Sequence, residues 1–339
     1  MVDVGVALNM YRLETGSDAA AIRGHLALAE LAQRLGFHSA YVYEHHFSGY
    51  LLSPSPMLLL GHLAGRAPAL WLGASVIVLP WHHPVRVAEE IALLDNLTGG
   101  RCRYGFGKGI PGPEHQGFGV PEDELDDRFA EALAVVHGCL THEIFQFRGT
   151  YVHVGPVGIR PRPQHRPHER FYLAGTAPAP RGLESLEAGR LVHLTGDISA
   201  LGRRLTAHQT HRSDLGLPPA SPIVFAPIFF GSDASAARSL AAADLRMRDT
   251  HLAPAATAAE PSADRVRAAL DTMIVGDADE VTDRISRIVE HTAAAEVVLE
   301  FAVGGAPLAE VAERMTRFAH AVLPRLTSVN GPGGEDMIS

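Results

Sequence analysis

Cysteine is nearly missing from this chain of 339 residues: Cys102 and Cys139 are the whole supply. Two scattered thiols exclude a disulfide-stapled scaffold and a cysteine-built metal site, and reduced cytosolic thiols are the default. A surplus of positive charge is missing too. Lys and Arg number 29 against 38 Asp and Glu, for a formal net charge of -9 and a pI near 6.1. That balance argues against nucleic acid or an anionic membrane surface as the main partner. No apolar run approaches the roughly 20 residues of a membrane span. Behind Met1 the strand-like run Val2–Leu8 carries Asp3 and lacks a basic n-region, which speaks against a signal peptide. The expectation is a soluble, cytoplasmic protein. No internal repeat is visible.

What is present is apolar material in alternating segments. With 46% apolar residues and 20% charged residues the chain can fill a large core. Its length is ordinary for a single (β/α)8 barrel, which takes about 250 residues plus insertions. Strand-like runs start near residues 4, 39, 70, 101, 171, 191, 223 and 297. Helical spacing fills the intervals near 19–35, 56–65, 84–97, 126–140, 278–292 and 308–323, with Pro84 at a first turn and Gly36 and Thr98-Gly99-Gly100 as stops. This alternation predicts a parallel α/β TIM barrel over residues 1–328. A small hairpin is expected around Arg148-Gly149-Thr150, between Phe145–Phe147 and Tyr151–Val154. The Ala/Pro/Thr-rich stretch within 249–271 reads as a long mobile loop, and 329–339 as a flexible tail.

Candidate chemistry gathers at strand ends, where parallel α/β folds build their sites. Glu44-His45-His46-Phe47 closes the run Ser39–Tyr43, placing two imidazoles and a carboxylate where a strand gives way to a loop. Histidine suits proton transfer near neutral pH, although paired histidines also cap backbone groups or line a polar rim. Neighbouring strand residues face opposite ways, so one of the pair is structural, and His46 takes that role once the family correspondence below points to His45. Glu44 could orient either ring. His82-His83, at another strand end, could face the same pocket mouth. No His-x3-His or Cys-x2-Cys spacing accompanies the cluster, and no metal is expected.

Two glycine-containing segments follow. Arg103–Gly109 ends in Gly107-Lys108-Gly109, whose glycines admit close backbone approach and whose Lys108 offers a cation for phosphate, or else a solvated surface charge. It is not a P-loop, because Gly109 follows Lys108; it is not a dinucleotide fingerprint, because Ile110 and Pro111 stand where that pattern fails. Gly175-Thr176 follows the strand-like Phe171–Ala174 and reads as a helix opening, with a hydroxyl and free amides that serve either a phosphate or a plain N-cap.

The ordered set Gly36-Phe37, Glu44-His45-His46-Phe47, Ile77–Pro80, His83–Glu90, Leu94-Asp95, Gly99-Gly100-Arg101, then Ala174-Gly175-Thr176 and Val275-Gly276-Asp277, resembles the bacterial luciferase-like family of flavin-dependent monooxygenases, the luciferase α subunit in particular. The resemblance implies a (β/α)8 barrel that binds reduced FMN delivered by a separate flavin reductase. It implies reaction with O2 through a flavin C4a-hydroperoxide and oxygenation of a small organic substrate. It also implies a homodimer packed through the helices near 56–65 and 84–97. By the same correspondence His45 occupies the position of the catalytic histidine. Lys108 stands for the phosphate-binding arginine, flanked by Gly107 and Gly109, and Gly175-Thr176 stands where luciferase has Glu-Ser. Ser75-Val76 would carry a non-prolyl cis peptide under the flavin. Gly107 replaces a reactive cysteine and the 249–271 segment is shorter, so light-emitting oxidation of long-chain aldehydes does not carry over. The Ala/Arg-rich composition suggests a GC-rich genome, in which such enzymes tailor secondary metabolites such as antibiotics by epoxidation or hydroxylation. A deazaflavin-dependent oxidoreductase on the same fold is the first alternative; a non-catalytic flavin-binding partner subunit is the second.

Overall fold

The computed structural model describes residues 2–326, apart from 13–15, 48, 50, 111, 181, 185, 187, 232–233 and 253–259. The tail expected at 329–339 and the centre of the 249–271 segment lie outside the described residues.

Eight parallel strands succeed one another around a closed barrel: β1 (Asp3–Leu8), β2 (Ser39–Val42), β3 (Trp71–Val78), β4 (Cys102–Gly107), β5 (Phe171–Ala174), β6 (Gly189–His193), β7 (Ile223–Phe230) and β8 (Glu296–Glu300). Each pairs with its successor, and β8 returns to β1 with Val4 opposite Val297. The barrel expected from the sequence is therefore present, and every strand begins within two residues of its expected start. Short runs of this composition need burial on both faces, which a barrel wrapped in helices supplies. Val4, Val6, Leu8, Ala40 and Val42 face outward into the main core under the helices. Ala7, Tyr41, Leu191, Phe225 and Val298 face inward and pack on one another. Helix termini follow the sequence signals: Ser17 caps Asp18–Leu35, Gly36 ends it at φ 83°, and Pro84–Thr98 ends at Gly99 with φ 58°.

Below the inner apolar layer lies a charged one. Glu296, 1% exposed at the start of β8, accepts hydrogen bonds from Ser39, from Tyr41 Oη at 3.0 Å and from the Arg103 guanidinium. Arg103 also donates to Tyr41 Oη at 3.2 Å and lies over the Trp71 ring, 4.7 Å from its centroid. Two glycines make the layer possible by close approach: a Cβ on Gly5 would strike Ser39, and one on Gly73 would strike the Tyr41 ring.

The inserted hairpin, Phe145–Arg148 with His153–Val157, lies between β4 and β5 as expected. The Glu131 carboxylate ties it to the helix Leu125–Thr141 by accepting from the amides of Thr150, Tyr151 and Val152 at 2.6–2.8 Å. The expected mobile loop needs correction. Helix Ala234–Leu252 runs into the 249–271 segment, and helix Ala263–Asp271, capped by Ser262, fills its far side. Arg265 donates to both carboxylate oxygens of Asp249 at 2.9 Å across the two helices. The Ser262 cap and the Arg, Ala and Leu residues between Ala263 and Asp271 favour a helix there over a loop. A three-residue strand, Ile274–Gly276, that the pattern did not suggest adds to the end of β7.

Replacing Arg103 by Met should destabilise the protein by about 3–5 kcal/mol, because it strands the buried Glu296 carboxylate without its cation. Urea unfolding measures this; a loss below about 1 kcal/mol, the level of an exposed pair, would show that Glu296 does not depend on Arg103.

Candidate active site

The C-terminal ends of the strands open into a cavity of about 1,010 Å³. Apolar side chains supply much of its wall: Val76 and Val78 from β3, Phe106 from β4, Leu173 from β5, Leu191 from β6 and Phe225 from β7. His45, Ser75, Val76, Gly107, Lys108, Gly109 and Gly175 all line it. The Ser75–Val76 peptide is cis, at the bond where the resemblance put it. β3 there gains one residue against β4: Ala74 pairs with Tyr104 and Ile77 with Phe106. Gly105 and Gly107 lie so close to Val76 that a Cβ on either would press on its side chain. Those glycines thus serve contact within the barrel as well as access for a ligand.

The Glu44–Phe47 segment is sorted by two buried carboxylates. Glu44, 3% exposed, lies with Oε1 2.9 Å from His46 Nε2 and 2.7 Å from His82 Nε2, while its Oε2 accepts from the Val78 amide at 2.9 Å. Burial opposes its charge, but the hydrogen bonds from both rings and from the amide outweigh burial and hold its pKa below the usual value. His82 shows the reciprocal effect: burial lowers it, and the Glu44 hydrogen bond and charge raise it further, so its pKa ends above the ordinary one. His45 has a different partner. Its Nδ1 lies 3.0 Å from Oε1 of Glu114, a carboxylate 6% exposed that also accepts from the His46 amide at 3.1 Å. A carboxylate only accepts, so Nδ1 carries the proton and Nε2 is the ring atom that can exchange one. His45 reaches the cavity; His46 is turned to Glu44 and packs edge-on against Phe118, with ring centroids 4.7 Å apart.

A second polar group occupies the opposite side. Glu300, buried at the end of β8, accepts from Tyr43 Oη at 3.0 Å and from Asn9 Nδ2 at 3.2 Å, and His193 Nδ1 lies 3.4 Å away. Tyr11 Oη accepts from Asn9 at 3.3 Å and donates to Asp244 at 3.0 Å. Sequence reading missed Glu114, Asn9, Tyr11, Tyr43, His193 and Glu300 as site residues. For Glu300 a signal existed: it closes a strand whose three central residues are Val297, Val298 and Leu299. Glu114 lies on the five-residue helix Pro113–Gly117, with no local pattern to mark it.

Two expectations about the cofactor end are corrected. No helix follows Gly175-Thr176 among the described residues, and Gly175 has φ 78°. Pro178 and Pro180 remove amide donors and Gly182, at φ 84°, breaks any turn that begins there. Thr176 is half-buried and does not line the cavity. The described residues of 249–271 do not line it either; Arg265 and Ala268 border a separate cavity of about 340 Å³. Lys108 is in place at the mouth, exposed, with Nζ 2.7 Å from Asp126 Oδ1. Among the described residues no group of three His, Cys, Asp or Glu side chains could hold a metal ion.

Replacing Glu44 by Gln should move the His82 titration midpoint to lower pH, because its main raising partner is gone and burial is then opposed by the charge of Glu90. The stability that His82 contributes is complete below the ordinary imidazole value of about 6.5 and fades as pH rises through its elevated folded value; that of Glu44 fades as pH falls through its depressed value, below about 4.3. Histidine NMR across the pH range checks the first point, and a midpoint that stays put in Glu44→Gln would refute the pairing.

A family model for luciferase-like monooxygenases matches residues 4–322. The chain is 32% identical over 162 residues to limonene 1,2-monooxygenase of Rhodococcus erythropolis, covering 46% of this chain and 42% of that one. It spans about half the length of the curated relatives it matches, 45% and 55% for two uncharacterized Sinorhizobium fredii proteins, each 36% identical over the matched stretch, 47% and 57% of this chain. The monooxygenase RslO1 from Streptomyces bottropensis superposes with a TM-score of 0.83 at 27% identity, over 96% of this chain and all of that one. At the level of fold alone, the FMN complex of the oxygenating constituent of 3,6-diketocamphane monooxygenase from Pseudomonas putida (TM-score 0.75, 18% identity, 96% and 98% coverage) and an F420-dependent secondary alcohol dehydrogenase (0.74, 17%, 95% and 98%) are both similar. The chain belongs to the luciferase-like monooxygenase family.

Proposed function

We propose that the protein is the oxygenase component of a two-component, reduced-FMN-dependent monooxygenase acting on a small organic substrate. The observation that carries this reading is His45: a cavity-lining imidazole whose Nδ1 is fixed by a buried carboxylate, at the mouth of a large, mainly apolar cavity. The residues present fit a flavin. Val76, Phe106, Leu173 and Leu191 offer apolar walls to its ring system. Bound reduced FMN would supply the electrons that activate oxygen. The chain's own residues would bind, shield and move protons. Val76, Val78, Phe106 and Phe225 exclude water. His45 gives or takes a proton at Nε2 while Glu114 fixes its tautomer. Tyr43 and His193, both held by Glu300, face the same cavity and can orient a polar atom of the substrate.

A homodimer, with a flavin reductase as transient donor, completes the proposal. Leu58 on the helix Pro56–Arg66 is 75% exposed, and Leu93 and Leu97 on Pro84–Thr98 are 48% and 58% exposed. These are the two helices that the resemblance assigned to dimer packing, and large apolar side chains left in water on neighbouring helices suit a self-complementary face.

With a flavin reductase, NADH, FMN and isotopically labelled O2, a terpene or polyketide substrate should gain one labelled oxygen atom. Hydride transfer from a deazaflavin with no oxygen incorporated would overturn the proposal in favour of its rival. His45→Ala should lower the coupled rate about 100-fold with folding intact; an unchanged rate would remove the role assigned to His45. Leu58→Glu with Leu97→Glu should shift the sedimentation of the protein from dimer to monomer, and a dimer that persists would move the interface elsewhere.

A further inference from the structure

The cation expected to hold an anion in this cavity, Lys108, already has a carboxylate. Its Nζ lies 2.7 Å from Asp126, both side chains are more than half exposed, and Asp127 lines the cavity beside them. Two carboxylates against one ammonium make that rim a poor place for a phosphate.

A better placed cation lies deeper. The cavity reaches past Leu173 of β5 to the helix Leu125–Thr141, where Phe129 and Ala130 line it, and Ala177 and Pro178 border it from the chain after β5. Arg190 of β6 is on this wall, paired in register with Leu173 and alternating with inward-facing Leu191. It is 3% exposed, and its Nε is sealed from solvent without a hydrogen-bond acceptor. Among the described residues it has no carboxylate partner. Its charged neighbour is Arg212, whose own guanidinium donates to the carbonyls of Ala188 and Pro218. Burial and then Arg212 pull the Arg190 pKa down to about 10, which still leaves it charged at pH 7. A buried guanidinium without a counter-ion is costly, and a planar fork of donors matches an oxyanion better than an ammonium does.

We propose that Arg190 is the anion-binding group of this cavity and takes an oxyanion of the phosphate or carboxylate class, in place of Lys108. The flavin phosphate is the first source, which rests on the proposed function; a carboxylate on the substrate is the second.

The test compares wild type with Arg190→Met, which keeps an unbranched chain suited to burial, Arg190→Lys and Lys108→Met. Inorganic phosphate should raise the melting temperature of wild type and of Lys108→Met, raise that of Arg190→Lys in part, and leave Arg190→Met unmoved. A phosphate-induced rise of the same size in Arg190→Met, or none in wild type, overturns the site whatever flavin does. Flavin fluorescence titration then identifies the source. FMN should bind wild type about tenfold or more tightly than riboflavin, which lacks the phosphate, and Arg190→Met should erase that preference. Equal binding of FMN and riboflavin by wild type, with the phosphate effect still lost in Arg190→Met, assigns the site to the substrate's carboxylate. Binding of neither flavin, with the phosphate effect intact, removes the proposed cofactor and leaves the anion site standing.

Discussion

The Glu44 carboxylate is the contact on which the arrangement of this site depends. Buried among β-strand ends, it keeps its charge only because two imidazoles and the Val78 amide surround it. The same three bonds join the end of β2 to the end of β3 and to the turn at Leu79–Trp81 that leads into the next helix. They also take His46 and His82 out of competition for the cavity. His45 is then held by a second carboxylate from a different segment. Two adjacent histidines acquire separate environments without any difference in their chemistry.

The barrel interior repeats this economy along a single strand. Glu296 and Glu300 stand at the two ends of β8 on its inward face, separated by Val298. The lower one is enclosed by Ser39, Tyr41 and Arg103 and holds the bottom of the barrel together. The upper one gathers Asn9, Tyr43 and His193 and helps shape the cavity. Between them the apolar layer of Tyr41, Phe225 and Val298 separates the two charges, so that support and function are segregated by height in the barrel.

Much of the fold was legible because barrel strands carry their signal locally. A run such as Leu72–Val78 is apolar on both faces, and Pro84, Gly36 and Gly99 punctuate the helices at the positions where backbone geometry requires them. The segment after Gly175 misled for a similar local reason: a threonine before alanines looks like a helix start, yet Pro178, Pro180 and Gly182 leave no run long enough to close turns. The 249–271 segment misled in the opposite sense, since a Ser262 cap followed by good helix formers builds the helix Ala263–Asp271.

By itself, then, the sequence determined the order of strands and helices, the strand end that bears Glu44–Phe47, and the family pattern those residues share. Periodicity and capping act within one or two turns of chain, so they can be read in one dimension. Only the tertiary structure decided which carboxylate each histidine meets, that Glu114 and Glu300 face one cavity from segments 186 residues apart, that Lys108 is paired with Asp126 and that Arg190 is buried without an acid beside it among the described residues. Those are facts of distance across a closed barrel, set by register and burial, and no local pattern encodes them.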